Sequence, residues 1–114
     1  MDFKKQKPIY LQIADSIAER LLLGEWAAED RIPSVRDLAA ELGVNPNTVM
    51  RAFDYLQSLD IIYNRRGVGY FASADAHQRI LDIQRRAFLD EEWPAVLQKM
   101  QLLNIDPASL LGVI

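Results

Sequence analysis

The chain has no cysteine. That excludes disulfides, zinc fingers and thiol nucleophiles together, and makes a cytoplasmic protein the simplest expectation. Histidine is nearly absent: His77 stands alone, without an acidic–histidine cluster to hold a metal. No apolar run approaches the length that spans a bilayer, so no membrane partner is expected. Met1 to Pro8 is polar and lysine-rich with no apolar stretch after it, unlike a signal peptide. Glycine is sparse, and the pair Gly67-x-Gly69 is far too short for a nucleotide fingerprint. With no catalytic set, no metal site and no cofactor expected, little remains from which to build an enzyme.

Positive charge is also scarce. The net charge is −3, with residues 1–72 at −1 and residues 73–114 at −2. A nucleic-acid-binding domain is usually basic. A case for DNA therefore has to rest on where individual charges sit. What the chain does have is an ordinary globular balance, half hydrophobic and a quarter charged over 114 residues. That suits one domain, or a small domain with a helical appendage.

Hydrophobic periodicity organises it. From Ile9 to about Leu23, Tyr10, Leu11, Ile13, Ala14, Ile17, Ala18 and Leu21 fall on one broad arc at helical spacing, with Pro8 before the helix and Gly24 after it. A polar loop spans Glu25 to Pro33. Ser34-Val35-Arg36-Asp37 then reads as a capping box for a helix of about two turns ending at Gly43. Asn45-Pro46 opens a third helix, which runs to about Ser58 or Leu59. Its inward stripe is Val49, Ala52, Phe53 and Leu56, and its outward face carries Asn47, Arg51, Asp54 and Ser58.

Two short helices around a tight glycine-containing turn are the helix-turn-helix arrangement. Ile61-Ile62-Tyr63 and Tyr70-Phe71-Ala72 follow as β-prone runs joined by Arg65 to Gly69, a basic hairpin in the place of a wing. After Ala74 the pattern is helical again, with Ala76, Ile80, Ile83 and Ala87 in a stripe beside Leu81 and Phe88. A break is expected around Asp90–Trp93 because Pro94 disfavours a helical predecessor. A further helix places Val96, Leu97, Met100 and Leu103 inward, and Asp106-Pro107 caps a last short turn.

The segments Pro33-Ser34-x-Arg36-x-Leu38-Ala39, Gly43-Val44-Asn45-Pro46-Asn47-Thr48-Val49-x-Arg51-Ala52 and Arg66-Gly67-x-Gly69-Tyr70-Phe71 resemble the GntR superfamily of bacterial regulators over roughly residues 8–72. The Asn-Pro-Asn-Thr-Val form with a short helical tail is similar to the YtrA-like subfamily. The resemblance implies a cytoplasmic homodimer that binds double-stranded DNA at a palindromic operator, usually as a repressor. Members are often associated with genes for ATP-driven membrane transporters. Many members carry Arg where this chain has Pro46 and Met50, so operator sequences of distant relatives do not transfer.

The candidate contacts follow. Arg36, beside the Ser34 cap, suits a phosphate or a guanine edge; the plainer alternative is an ion pair with Glu41 or Asp37. Asn45, Asn47 and Thr48 stand at the start of the third helix, where recognition helices reach bases. Capping alone accounts for Asn45 and can account for Thr48, but not for Asn47. Arg51 lies one turn beyond Asn47, with Asp54 or Tyr55 as alternative partners. Arg65 and Arg66 suit the phosphate backbone, with Gly67 and Gly69 allowing close approach, or they form an ordinary solvated turn. Lys4, Lys5 and Lys7 suggest a basic arm or a disordered terminus. His77 reads as a structural or dimer-interface residue, and Phe88 and Trp93 as packing of the tail, with an aromatic site as the alternative.

The expected fold is mostly α with a small β-hairpin: a winged helix-turn-helix over residues 1–72 and a short C-terminal helical dimerisation region over residues 73–114. The tail is too short to enclose a core, so its stripe must pack on the winged domain or on a partner's copy. The alternative function is a winged-helix protein-interaction adaptor without sequence-specific DNA binding. A small-molecule effector has room only between the tails of a dimer.

Overall fold

The computed structural model describes residues 7–112. In chain order they form α1 (Ile9–Leu22), α2 (Val35–Leu42), α3 (Pro46–Ser58), β1 (Ile62–Arg65), β2 (Gly69–Ala72), α4 (Ala76–Ala87), a π-helical turn (Phe88–Glu92), α5 (Trp93–Leu102) and α6 (Pro107–Leu111). The architecture is mostly helical with a two-stranded antiparallel hairpin, as the periodicity predicts. The chain divides into two compact units, one ending at Ile80 and one beginning at Leu81.

The first unit is built around the inward stripes of α1, α2 and α3. Ile17, Leu38, Val49, Phe53 and Leu56 are almost fully buried, together with Ile62 of the hairpin. Burying one such side chain is worth about 1.5–3 kcal/mol. Ala76 and Ile80 of the first turns of α4 complete this core. The helix starts follow the local chemistry. Ser34 Oγ accepts from the Asp37 N–H at 3.0 Å and Asn45 Oδ1 accepts from the Asn47 N–H at 2.8 Å, each cap worth about 1 kcal/mol. Half of the expected capping box is present: among the described residues the Asp37 carboxylate makes no return bond to Ser34.

The hairpin is longer than its β-prone runs suggest. Ile62 pairs with Ala72 and the ladder continues to Arg65 opposite Gly69, leaving a three-residue turn of Arg66, Gly67 and Val68. Side-chain preference marked only the apolar ends of the strands; backbone bonding carries Asn64 and Arg65 into the ladder. Part of the expected loop before α2 is also extended backbone. Glu29 N–H donates to Ala72 O, Ala72 N–H to Asp30 O, and Ile32 N–H to Tyr70 O, each at 2.9 Å. This segment satisfies the outer edge of β2, which would otherwise present unpaired backbone groups.

In the second unit the helix does not break before Pro94. Glu92 and Trp93 keep helical dihedrals, and Trp93 N–H donates to Phe88 O, five residues back. The widened turn sets Pro94 in the first turn of α5, where its missing N–H costs little. Phe88 and Trp93 stack across the turn with ring centroids 6.4 Å apart. Asp106 caps α6 by accepting from Ala108 N–H at 3.0 Å. No residue of the π-helical turn, α5 or α6 is buried. Val96 and Leu103, expected inward, are exposed, and Leu97 and Met100 are half-buried. No helix among the described residues is long and apolar enough to cross a membrane.

Candidate nucleic-acid interface

Pro46 fixes the first turn of α3, and the cap made by Asn45 leaves Asn47 one residue further on, exposed and with no bond from its own side chain. Asn45 is occupied by that capping bond, so its amide oxygen is already committed. Thr48 is half-buried beside it. Asn47, Thr48 and Arg51 line one groove with Pro8, Ile9 and Tyr10, between the starts of α3 and α1. Arg51 takes neither of its expected partners, Asp54 or Tyr55. Its guanidinium lies over the Tyr10 ring, 4.3 Å from the centroid.

Arg36 is exposed in the first turn of α2 and has no ion pair with Glu41 or Asp37. Glu41 instead bonds Arg20. Its guanidinium donates to Glu41 Oε2 at 2.9 Å and to Glu25 Oε2 at 2.8 Å from Nε, with a second bond to Glu25 from Nη2, and it lies 4.4 Å over Trp26. Glu41 is thus engaged from the far side. The hydrogen bonds from Arg20 hold the Glu25 carboxyl below the usual glutamate range, and Glu25 in return raises Arg20 further. On the wing, Arg66 is exposed and Arg65 lies 5.3 Å over Phe71. Neither lines the α3 groove.

Two features of this surface are not legible from the sequence pattern. The first is Arg31, exposed in the extended segment and bridged to Phe71. With Ser34, Asp37, Trp26, Ile32 and Pro33 it lines a second hollow at the start of α2. Its guanidinium lies against Gly69, where a Cβ would come within 2.8 Å of Nε. The exposed Arg31 side chain could shift to admit a Cβ, so what calls for glycine is the backbone, with φ of +141° at Gly69 and +77° at Gly67. A lone arginine in a polar loop gives no sign of that pairing. The second is Tyr10, which the helical arc assigns to the core but which is half-buried under Arg51.

The negative charges lie elsewhere on α3. Asp54 is a turn beyond the groove, near enough to add to the rise in the Tyr70 pKa that burial mainly causes. Lys7 is paired to Asp15 at 2.7 Å, while Lys4 and Lys5 lie outside the described residues.

The sequence model of the bacterial regulatory proteins of the gntR family matches residues 9–71, from the start of α1 to the end of the hairpin. The chain belongs to the gntR family. It is 37% identical over 109 residues to the HTH-type transcriptional regulator YhcF of Bacillus subtilis, covering 96% of this chain and 88% of that protein. To the HTH-type transcriptional repressor YtrA of the same organism it is 37% identical over 82 residues, 72% of this chain and 63% of YtrA. Among solved structures, a putative transcriptional regulator of this family from Bacteroides thetaiotaomicron superimposes with a TM-score of 0.76 at 42% identity, covering 92% of this chain and 91% of that one. The DNA-binding domain of AraR in complex with an operator superimposes with a TM-score of 0.59 at 25% identity, over 64% of this chain and 88% of that one. The gntR family comprises transcription regulators, not enzymes, and the winged helix is its DNA-binding element.

Proposed function

We propose that this gntR-family chain is a cytoplasmic repressor that binds a palindromic operator as a homodimer. The observation that carries the reading is the unpaired polar edge at the starts of α2 and α3. Among the described residues Arg36 and Asn47 are exposed with no ion pair or side-chain capping bond, and Arg51 offers its guanidinium edge in the groove that Asn47 also lines. In this reading the start of α3 enters the major groove, where Asn47 and Arg51 meet base edges and Thr48 a thymine methyl. Arg36, Ser34 and Asn45, at the starts of the two helices, hold the flanking backbone. Arg65 and Arg66 lay the wing along phosphates, with Gly67 and Gly69 free of side chains.

The tail supports the dimer. Phe88, Leu89, Val96, Leu102 and Leu103 are all exposed in the isolated chain, an apolar load that a two-fold partner would cover. Two-fold symmetry of the protein then requires an inverted repeat in the DNA. Selection of bound sequences from a random duplex pool, using the full chain, tests this. An enriched inverted repeat is the expected result. Enrichment of a single half-site, or of nothing, overturns it.

A further inference from the structure

We infer that Tyr10 is a positioning residue for DNA reading: its ring holds the Arg51 guanidinium by the face and leaves the hydrogen-bonding edge open. The inference rests on the proposal that Arg51 contacts the operator. Three observations on the page carry it.

The first is the contact itself, with the Arg51 carbon 4.3 Å from the Tyr10 centroid. A guanidinium carries its five N–H donors in the plane of the group, so face stacking uses none of them. An ion pair with Asp54, a turn further along α3, would occupy one edge of the group, up to two of those donors. The second is how Tyr10 is held. It packs edge-on against Tyr55 of α3, with centroids 6.3 Å apart and planes at 80°, so the platform is fixed to the same helix that carries Arg51. The third is what surrounds the stacked pair. Asn47 and Thr48 line the same groove, so the guanidinium is held beside the residues proposed to read bases.

The physical consequence is pre-organisation. An arginine free in solvent must be ordered when it binds, and that ordering weakens the complex. Tyr10 restricts Arg51 before DNA arrives. Replacing the ring with Leu keeps apolar bulk but removes the platform. Phe keeps the platform and removes only the hydroxyl, for which the contact has no use.

The test is a double-mutant cycle on the full chain with the duplex enriched from the pool. Tyr10→Phe and Tyr10→Leu are each made with Arg51 present and with Arg51→Ala, and a melting curve accompanies every variant. Tyr10→Leu is expected to weaken binding about two- to tenfold per half-site. It should relax preference only at the position that Arg51→Ala relaxes, and have no further effect once Arg51 is gone. Tyr10→Phe should match the parent. In the DNA-free protein, the Arg51 side-chain proton resonances should lose their ring-current shift in Tyr10→Leu and keep it in Tyr10→Phe. Equal weakening by Tyr10→Leu in both Arg51 backgrounds would make Tyr10 merely structural and overturn the inference. If Arg51→Ala alone leaves affinity and preference unchanged, the reading of Arg51 as a DNA contact fails, and the inference fails with it.

Discussion

Up to Ile80 the described residues enclose an apolar core; from Leu81 onward no described residue is buried. The first unit places Phe53, Val49, Ala52 and Ala72 out of contact with solvent altogether, whereas in the second Leu89 is 60% exposed, Leu102 79% and Leu111 68%. Both stretches carry apolar residues at helical spacing. They differ in what is opposite the stripe. The first unit has three helices and a hairpin to close on one another, and the second has a run of short helices with too little chain to surround anything. An apolar stripe is therefore evidence of burial only where the chain supplies a second face. In the tail it is better read as a surface for association.

Substitutions in the two units should then fail in different ways. Phe53→Ala opens a cavity in the enclosed core and should cost about 3–5 kcal/mol of folding stability. Leu103→Ala in the tail should change the unfolding free energy of dilute protein by under about 0.5 kcal/mol. Denaturant titration at low protein concentration measures both. A loss at Leu103 as large as at Phe53 would break the comparison.

The converse concerns association. Leu89→Glu or Leu103→Glu would carry a charge into the proposed dimer surface twice, once from each protomer, and should weaken dimerisation at least about a hundredfold. Sedimentation across protein concentration reads this directly, and the parent should be dimeric at micromolar concentration. A monomeric parent would remove the dimer from the proposal. Ala76 and Ile80 belong to the first core, so a shortened chain meant to isolate that unit has to keep them.

Within the first unit a smaller effect separates reading from holding. Asn47→Ala should relax sequence preference and cost about 1–3 kcal/mol per contact. Arg66→Ala should weaken all sequences alike and lower the salt dependence by about one counterion per lost phosphate contact. Tail variants that impair dimerisation should lower operator affinity and leave the preferred half-site unchanged. Pool selection and salt titration on each variant distinguish the three. A shifted half-site preference in a tail variant would mean that the division of labour between the units is wrong.

How much of this was legible in sequence follows the range of the forces involved. Helix starts were legible because a cap is a contact over two or three residues: Ser34 and Asn45 both cap as their neighbours imply. The inward stripe of α3 was legible because period alone places Val49, Ala52, Phe53 and Leu56 on one face. Arg31 was not, since its position depends on backbone pairing with residues near 70, and nothing within a few residues of it signals a strand. Tyr10 was assigned to the core because periodicity reports which side of a helix a residue occupies, but not whether a cation covers it. The rule for Pro94 predicted a break, and the backbone instead absorbed the proline in one wide turn. The resemblance to the gntR family gave the order of elements, but it could not say which arginines are free. Tertiary contacts show it: Glu41 bonds Arg20 of α1, and Arg51 lies over Tyr10.

The smallest expected effect tests the other partner of Arg20, Glu25, through pH. Arg20 hydrogen bonds hold the Glu25 carboxyl below its usual range, so the folded state favours its ionised form. A carboxylate with a depressed folded pKa adds stability that is fully present above its unfolded pKa. The contribution is lost as pH falls through the folded pKa, here below about pH 4.3. Glu25→Gln removes the titration. At neutral pH the variant should melt slightly below the parent, and the gap should close on acidification through that window. Glu25 is exposed, so the gap should also shrink in high salt. Dimerisation should be unchanged, because Arg20, Glu25 and Glu41 all lie in the first unit. A gap that stays constant with pH would show that the Arg20–Glu25 pair contributes nothing to stability. A change in dimer affinity would show that the first unit takes part in dimerisation.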